Sequence, residues 1–349
     1  MTGDLERPYF RPVPCDRSYP GAFSLGGGLF GFREIEILSR SEPPRLVPAE
    51  AAPALFPDQL DGLERFTRTR ASFSGIGFER PRVMGIVNVT PDSFSDGGQF
   101  STLEQAVDHG LSLAAAGADV LDIGGESTRP GALPVDAETE ADRVLPVITG
   151  LQEAGCAVPI SIDTRNASVA RRALAAGARI FNDVSALQHD PASLDTARDA
   201  TGVCLMHAQG DPQTMQDDPQ YENVLLDVYD FLEYRISACE MAGIPRQRLL
   251  VDPGIGFGKA LEHNLDLLRR LSLFHGLGCG MLLGVSRKGF IRRLSGEKEA
   301  ARRVPGSIAA ALAGLEEGVQ MLRVHDVKEM KQALDVWTAI KLDQTEMEA

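Results

Sequence analysis

From Val83 onward, short apolar runs alternate with amphipathic stretches. The runs are VMGIVNV (83–89), DVLDIGG (119–125), PISID (159–163), ARIFND (178–183), GVCLMH (202–207), RLLVDPG (248–254), MLLGVS (281–286) and QMLRVHD (320–326). Each is strand-like in length and texture. Between them lie helical patterns such as LEQAVDHGLSLAAAG, ETEADRVLPVITGLQEAG, ASVARRALAAG, a long one over 221–242, and EHNLDLLRRL. Ser101 and Glu104 form a capping box before the first helix. Ala-Gly pairs at 116–117 and 176–177 close two helices. Eight strand-like runs, each followed by a helix, predict an α/β fold, a (β/α)8 TIM barrel. The rival is a doubly wound open sheet. The barrel is favoured because polar residues recur at the C-terminal ends of the runs: Asn88, Asp122, Asp163, Asn182, His207, Asp252, Ser286 and Arg323. In a barrel these ends converge on one mouth, whereas an open sheet spreads them along an edge.

Residues 1–80 have a different texture and are expected to form an N-terminal extension to a barrel over 81–349. They are rich in Pro, Gly and Arg with little helical periodicity. FREIEIL (32–38) alternates as a strand does, and 51–66 has room for a helix or two. The run Gly26-Gly27-Gly28 is a turn or link and not a phosphate loop, because no strand-to-helix setting surrounds it. Packing on the barrel is expected of this extension in preference to a partner surface.

Composition narrows the function classes. Apolar residues make up 43% and charged residues 24% of the 349, so wholesale disorder is excluded. Asp and Glu outnumber Lys and Arg by 49 to 35, a net charge of −14. Neither nucleic acid nor an anionic membrane is an expected partner of such a surface. An anionic substrate would need positive charge concentrated at the site. No apolar run approaches the roughly 18 to 20 residues of a membrane span, and the first 20 residues contain no apolar core of a secretory signal. Five widely spaced cysteines without a CxxC pair read as reduced thiols in a cytoplasmic protein.

Several chemistries are excluded. Gly254-Ile255-Gly256-Phe257-Gly258-Lys259 fails as a Walker loop, with Pro253 before it and Ala260 where Ser or Thr would hold magnesium. It also fails as a dinucleotide fingerprint, since its third glycine is misplaced. Gly284-Val285-Ser286-Arg287-Lys288 is not a nucleophile elbow, because Lys288 stands where the last glycine is required. No HExxH pair or zinc-spaced Cys/His cluster occurs. What remains is a mouth with Asp163, Asn182 and Asp252 beside Arg129, Lys288, Arg323 and His325. A carboxylate at the bottom of a barrel is costly unless it meets paired donors, such as the guanidine-like edge of a heterocycle. The cations suit a phosphate or diphosphate. Asn88 offers a neutral oxygen to Mg²⁺, which keeps most of its waters and binds substrate phosphates. Arg323 and His325 alternate and share one face of a strand end. Singly, Asp163 and Asp252 are equally readable as strand-end caps, Asn182 as a turn residue and Lys288 as a loop lysine; His189, His263 and His275 read as surface residues.

MGIVNVTPDSFSDGG (84–98) and GGESTRPG (124–131) resemble the first and second signatures of dihydropteroate synthases. SIDT (161–164), FNDV (181–184), LMH (205–207), DPGIGFGK (252–259), SRK (286–288) and RVH (323–325) follow in that family's order. The resemblance spans about residue 81 to the C-terminus. It implies condensation of 6-hydroxymethyl-7,8-dihydropterin diphosphate with 4-aminobenzoate, in folate synthesis, with sulfonamides competing at the aminobenzoate site. It implies that Asp163, Asn182, Asp252 and Lys288 hold the pterin, with Met206, Gly256 and Phe257 lining its slot. Asn88, Arg323 and His325 would hold the diphosphate, Asn88 also meeting Mg²⁺. Asp92, Phe94 and Ser95 would sit on a first mobile loop and Thr128, Arg129 and Pro130 on a second, and Ser286 would meet the aminobenzoate carboxylate. The family also implies a homodimer. Ala208 departs from the pattern, since many relatives carry a bulkier residue there. Two other readings remain: a methyltetrahydrofolate-dependent methyltransferase, which would need the pterin residues but not the diphosphate set, and a paralogue that binds a pterin without turning it over.

Overall fold

The computed structural model of the chain describes residues 7–60, 62–89, 102–126, 134–210, 215 and 217–341. Ser101 of the expected capping box lies outside them. The chain begins with four antiparallel strands, β1 (Tyr9–Asp16), β2 (Phe23–Ser24), β3 (Phe30–Leu38) and β4 (Arg45–Pro48). β1 runs along one edge of β3, and β2 and β4 pair with the other. Alternation then divides the side chains. Phe10 and Ile37, opposite one another, turn into a small core with Phe32, Ile35, Val47, Leu60 and Phe66. Tyr9 and Leu38, the next pair, turn the other way and join the core of the barrel. Two one-turn helices, α1 (Ala52–Leu55) and α2 (Glu64–Thr67), complete the extension.

Eight parallel strands follow: β5 (Arg82–Asn88), β6 (Val120–Gly124), β7 (Ile160–Asp163), β8 (Ile180–Asp183), β9 (Gly202–Met206), β10 (Leu249–Asp252), β11 (Gly280–Leu283) and β12 (Met321–Val324). They close into a barrel, β12 pairing with β5 through Met321 opposite Arg82. The helices between and after them are α3 (Thr102–Ala115), α4 (Ala137–Glu153), α5 (Ala167–Ala175), α6 (Ser193–Ala197), α7 (Val224–Met241), α8 (Leu261–Arg269), α9 (Gly289–Ser295), α10 (Val304–Glu316) and α11 (Val327–Lys341). Strand residues facing outward, such as Val83, Leu121, Phe181 and Val203, pack beneath these helices. Gly117 and Gly177 end α3 and α5 in the left-handed conformation, as the Ala-Gly pairs predict.

Inside the barrel, Met84, Val120, Ile180, Cys204, Leu250, Leu282 and Met321 form a separate apolar layer. They lie toward the N-terminal ends of their strands. Two residues further along, alternation points Asp122, Asn182, Met206, Asp252 and Arg323 inward as well. The interior is therefore apolar below and polar toward the mouth.

The bottom is closed from outside the eight strands. Phe73, 1% exposed, packs into the apolar interior layer with Ile76 and Phe78 beside it. Phe73 and Ile76 exchange two backbone hydrogen bonds of 2.8 and 2.9 Å in a tight antiparallel bridge. Gly202 opens β9 against that ring, and a Cβ there would lie 2.6 Å from it. The border at residue 80 thus leaves on the extension's side a segment that packs as the floor of the barrel.

The extension lies against the barrel between α8 and β11. After α8 comes a 3-10 segment, Leu271–Leu277, and β1 packs across it. Arg11 donates to Glu36, Ser272 and Glu317, joining β1, β3 and the barrel at one half-buried point. The Tyr9 hydroxyl donates to Asp230 at 2.7 Å. His275 corrects the surface reading. It is fully buried in the 3-10 segment, its carbonyl accepting from Arg70 of the extension at 3.0 Å. Burial first, and Arg70 second, push its imidazole down to about 3. Its cover comes from Arg70, 205 positions earlier, and from Glu317, 42 positions later, which local pattern does not reveal.

Candidate active site

Asp252 ends β10 and is buried. Its Oδ1 accepts the Gly254 N–H at 2.7 Å, which turns the chain sharply after Pro253. Burial raises its carboxyl above the usual carboxylate range, with Lys288 and Arg323 among the opposing influences. The chain then runs through Gly254, Gly256 and Gly258, all left-handed. At Gly254 a Cβ would collide with the His207 carbonyl, so only glycine lets this loop lie on the end of β9. Lys259 secures it from below. The residue is 2% exposed, and its ammonium lies 2.9 Å from His207 Nδ1 and 3.0 Å from the Phe257 carbonyl. Burial depresses Lys259 to about 7. Burial, then the charge of Lys259, depress His207 to about 2, which leaves its ring neutral. Asn264 of α8 accepts the Gly256 N–H at 2.6 Å and donates to the Ala260 carbonyl.

Opposite this loop stands Lys288. Its Nζ lies 3.8 Å from the centroid of the Phe257 ring, a cation–π contact. Burial lowers it to about 8 while Asp252 pulls it upward. Arg287, just before it, adopts a left-handed backbone and is pinned by Asp326 through Nε at 3.0 Å. That kink turns Ser286 and Lys288 to the mouth. The Ser286 hydroxyl accepts the His325 N–H at 3.2 Å and lies 3.0 Å from His325 Nδ1.

Arg323, inward on β12, spans two carboxylates. Its Nε donates to Asp122 and an Nη to Asp163, both at 2.6 Å. The amide nitrogen of Asn182 donates to the same Asp122 oxygen at 3.0 Å. Burial raises Asp163 to about 7 against the opposing pull of Arg323. Burial also works against the Arg323 charge, but Asp122 and Asp163 outweigh it and hold the guanidinium above its ordinary value.

A family model described as pterin binding enzyme matches residues 84–325. Over 274 residues the chain is 51% identical to a dihydropteroate synthase of Neisseria meningitidis serogroup B, covering 77% of this chain and 95% of that one. The chain belongs to the dihydropteroate synthase family. A Xanthomonas albilineans dihydropteroate synthase solved with 4-aminobenzoic acid superposes with a TM-score of 0.74 at 50% identity, over 78% of this chain and 98% of that one. Another structure from that organism, in complex with 7,8-dihydropteroate, gives 0.70 at 48%, over 77% and 96%. Enzymes of this family are transferases of folate synthesis.

Of the residues expected at a dihydropteroate synthase site, Asp163, Asn182 and Arg323 share one hydrogen-bonded cluster, and Lys288 faces Asp252 and Phe257. Met206 is buried beside Asp252 in register. Asn88 ends β5 half-buried at the rim, level with Gly124 and Asp163. Ser286, which the resemblance places on aminobenzoate, has its hydroxyl on His325. Asp92, Phe94, Ser95, Thr128, Arg129 and Pro130 lie outside the described residues. At the foot of the second loop, Glu126 accepts the Val135 N–H at 3.2 Å and pairs with Arg165 at 2.9 Å.

The sequence places Asp122 and His207 among the polar strand ends and Lys259 in the DPGIGFGK run, but assigns none of the three a role. Asp122 carried a signal: it interrupts an apolar run at the inward phase of Val120 and Gly124. Lys259 carried none, because its partner is 52 positions away. Among the described residues no group of three His, Cys, Asp or Glu side chains is placed to hold a metal. Asn88 contributes one neutral oxygen. Such a donor fits a hard ion that arrives on a diphosphate with its own waters, as Mg²⁺ does.

Proposed function

We propose that this mouth condenses 6-hydroxymethyl-7,8-dihydropterin diphosphate with 4-aminobenzoate, with Asp252, Asn182, Asp163 and Lys288 on the pterin and Arg323, His325 and Asn88 on the diphosphate. The observation that carries these roles is the joining of buried acceptors and cations at one barrel end in a pterin-binding family. The pterin's amino-pyrimidine edge offers adjacent N–H donors to a buried carboxylate. The C–O bond to the diphosphate breaks, leaving a methylene cation conjugated with the electron-rich dihydropterin. The aminobenzoate nitrogen then forms the C–N bond and releases a proton. That amine is already neutral at pH 7, so no strong base is needed. Arg323 and His325 stabilise the charge growing on the leaving oxygen. Mg²⁺ bound by Asn88 and the diphosphate would add charge neutralisation there.

Gly, Ser and Pro in 89–100 and 124–135 suit loops that exclude the water able to capture the cation. Sulfonamides would compete with aminobenzoate. We place the protein in the cytoplasm as a homodimer. Five free thiols support the first, and the family together with exposed Val336 and Ile340 on α11 supports the second. Diphosphate release from the pterin diphosphate, with and without 4-aminobenzoate, tests the reaction. Release that needs no aminobenzoate, or none at all, would contradict it.

A further inference from the structure

We infer that Asp122 is a positioning residue for this reaction: from beneath the site it fixes the direction of the Asn182 amide and the plane of the Arg323 guanidinium, and so selects a heterocycle edge rich in N–H donors. The inference rests on the pterin site proposed above.

A fully buried carboxylate midway along a barrel strand is costly unless it is well paired. Two other carboxylates of this fold brace the backbone. Asp183 accepts the N–H groups of Ser185 and Leu187, and Asp119 accepts that of Val83. Asp122 differs. Its hydrogen-bond partners among the described residues are two side chains of the site, Arg323 and Asn182, both on Oδ2. Its Oδ1 has none there.

The geometry fixes what each partner shows to the substrate. Asn182 turns its NH₂ down to Asp122, donating to Oδ2. Its carbonyl oxygen is then the atom left for the mouth. Arg323 is held at two points of its fork, Nε on Asp122 and an Nη on Asp163. The floor thus offers acceptors from Asn182, Asp163 and Asp252. A reduced pterin presenting ring and exocyclic N–H groups meets that set, and an edge presenting lone pairs does not.

Asp122 also tunes Asp163. That carboxyl faces Arg323 on β12, Asp122 on β6, Glu140 on α4, Asp183 on β8 and Lys288 after β11. Burial raises it, Arg323 lowers it, and Asp122 adds to the rise. Asp122→Asn removes that repulsion and frees Arg323 to pair with Asp163 alone. Both changes move Asp163 downward.

The test compares Asp122→Asn, Asp122→Glu and Asp252→Asn with the unaltered enzyme. KM for the pterin diphosphate, KM for 4-aminobenzoate and the pH dependence of pterin affinity are read in each. For Asp122→Asn the pterin KM should rise about 10- to 100-fold, as loss of a charged hydrogen bond implies. The aminobenzoate KM should stay within about twofold. The acid-side loss of pterin affinity should move to lower pH. Asp122→Glu keeps the charge but cannot keep both contacts, so its pterin KM should rise with a smaller shift of the acid limb than in Asp122→Asn. An unchanged pterin KM or an unmoved acid limb in Asp122→Asn overturns the inference. If that variant does not fold, an unchanged pterin KM in Asp122→Glu overturns it instead. Normal pterin affinity in Asp252→Asn would sink the site reading itself.

Discussion

At the scale of single residues, buried charges at the mouth decide both binding and pH behaviour. Asp252 is buried at a strand end and accepts the Gly254 N–H with one oxygen. In Asp252→Asn a donor replaces an acceptor in front of the pterin's own donors. Loss of a charged buried hydrogen bond costs about 1.5 to 3 kcal/mol, and a donor–donor clash adds to it. Turnover should nearly vanish while the fold persists, checked by kcat/KM together with circular dichroism. Lys259 lends itself to a different measurement. Burial holds it at about 7 against an ordinary 10.5. Between those values the unfolded chain binds a proton that the folded chain does not, so this lysine makes stability rise with pH from about 7 upward. Lys288 adds the same sign from about 8. In Lys259→Met the rise in Tm between pH 7 and pH 8 should flatten relative to the unaltered protein. Calorimetric scans at the two values read it, and an unchanged slope would contradict the shift.

At the scale of elements, the two ends of the barrel carry separate duties. The mouth holds the polar side chains, and the floor is sealed by Phe73. Phe73→Ala would open a cavity among Met84, Leu250 and Met321, at a cost of about 3 to 5 kcal/mol for a buried phenylalanine. The mouth lies at the other end of the strands, so kcat should hold under conditions where the variant is folded. Urea unfolding beside steady-state kinetics separates the two, and a parallel loss of kcat would contradict the division. These elements also show what the sequence discloses. The eight strands were legible because each is a short apolar run with a polar residue in its C-terminal half. The direction of Asp163, Asn182 and Arg323 followed from their place at those ends. The floor was not legible, since SFSGIGF (72–78) is a short stretch broken by two glycines and its apolar partners come from seven different strands. His275 was misread for the same reason: a sheet some 240 residues earlier covers its segment. Local periodicity reports which face of an element is buried, not which distant segment buries it.

At the scale of the whole molecule, electrostatics frames how a diphosphate is held. The chain carries a net charge of −14, so its overall field repels an anionic substrate. The described residues of the mouth do not reverse this. Asp122, Asp163 and Asp252 stand against Arg323 and Lys288, with Lys259 below them. Arg323 is moreover engaged by two carboxylates. These cations therefore orient a diphosphate better than they neutralise it. A divalent ion entering with the diphosphate would supply the missing positive charge, with Asn88 as its protein oxygen. Chelation should then stop turnover and Mg²⁺ restore it. Mg²⁺ and diphosphate should also tighten one another reciprocally, by about 1 to 3 kcal/mol or some 5- to 150-fold. Asn88→Ala should weaken that mutual effect without changing pterin affinity, because Asn88 ends β5 and lies outside the acceptor cluster on β7, β8 and β10. Calorimetric titration of diphosphate with and without Mg²⁺, in the unaltered enzyme and in Asn88→Ala, measures the coupling directly. Equal diphosphate affinity in both conditions would mean that protein cations alone balance the charge, and the electrostatic argument would fail.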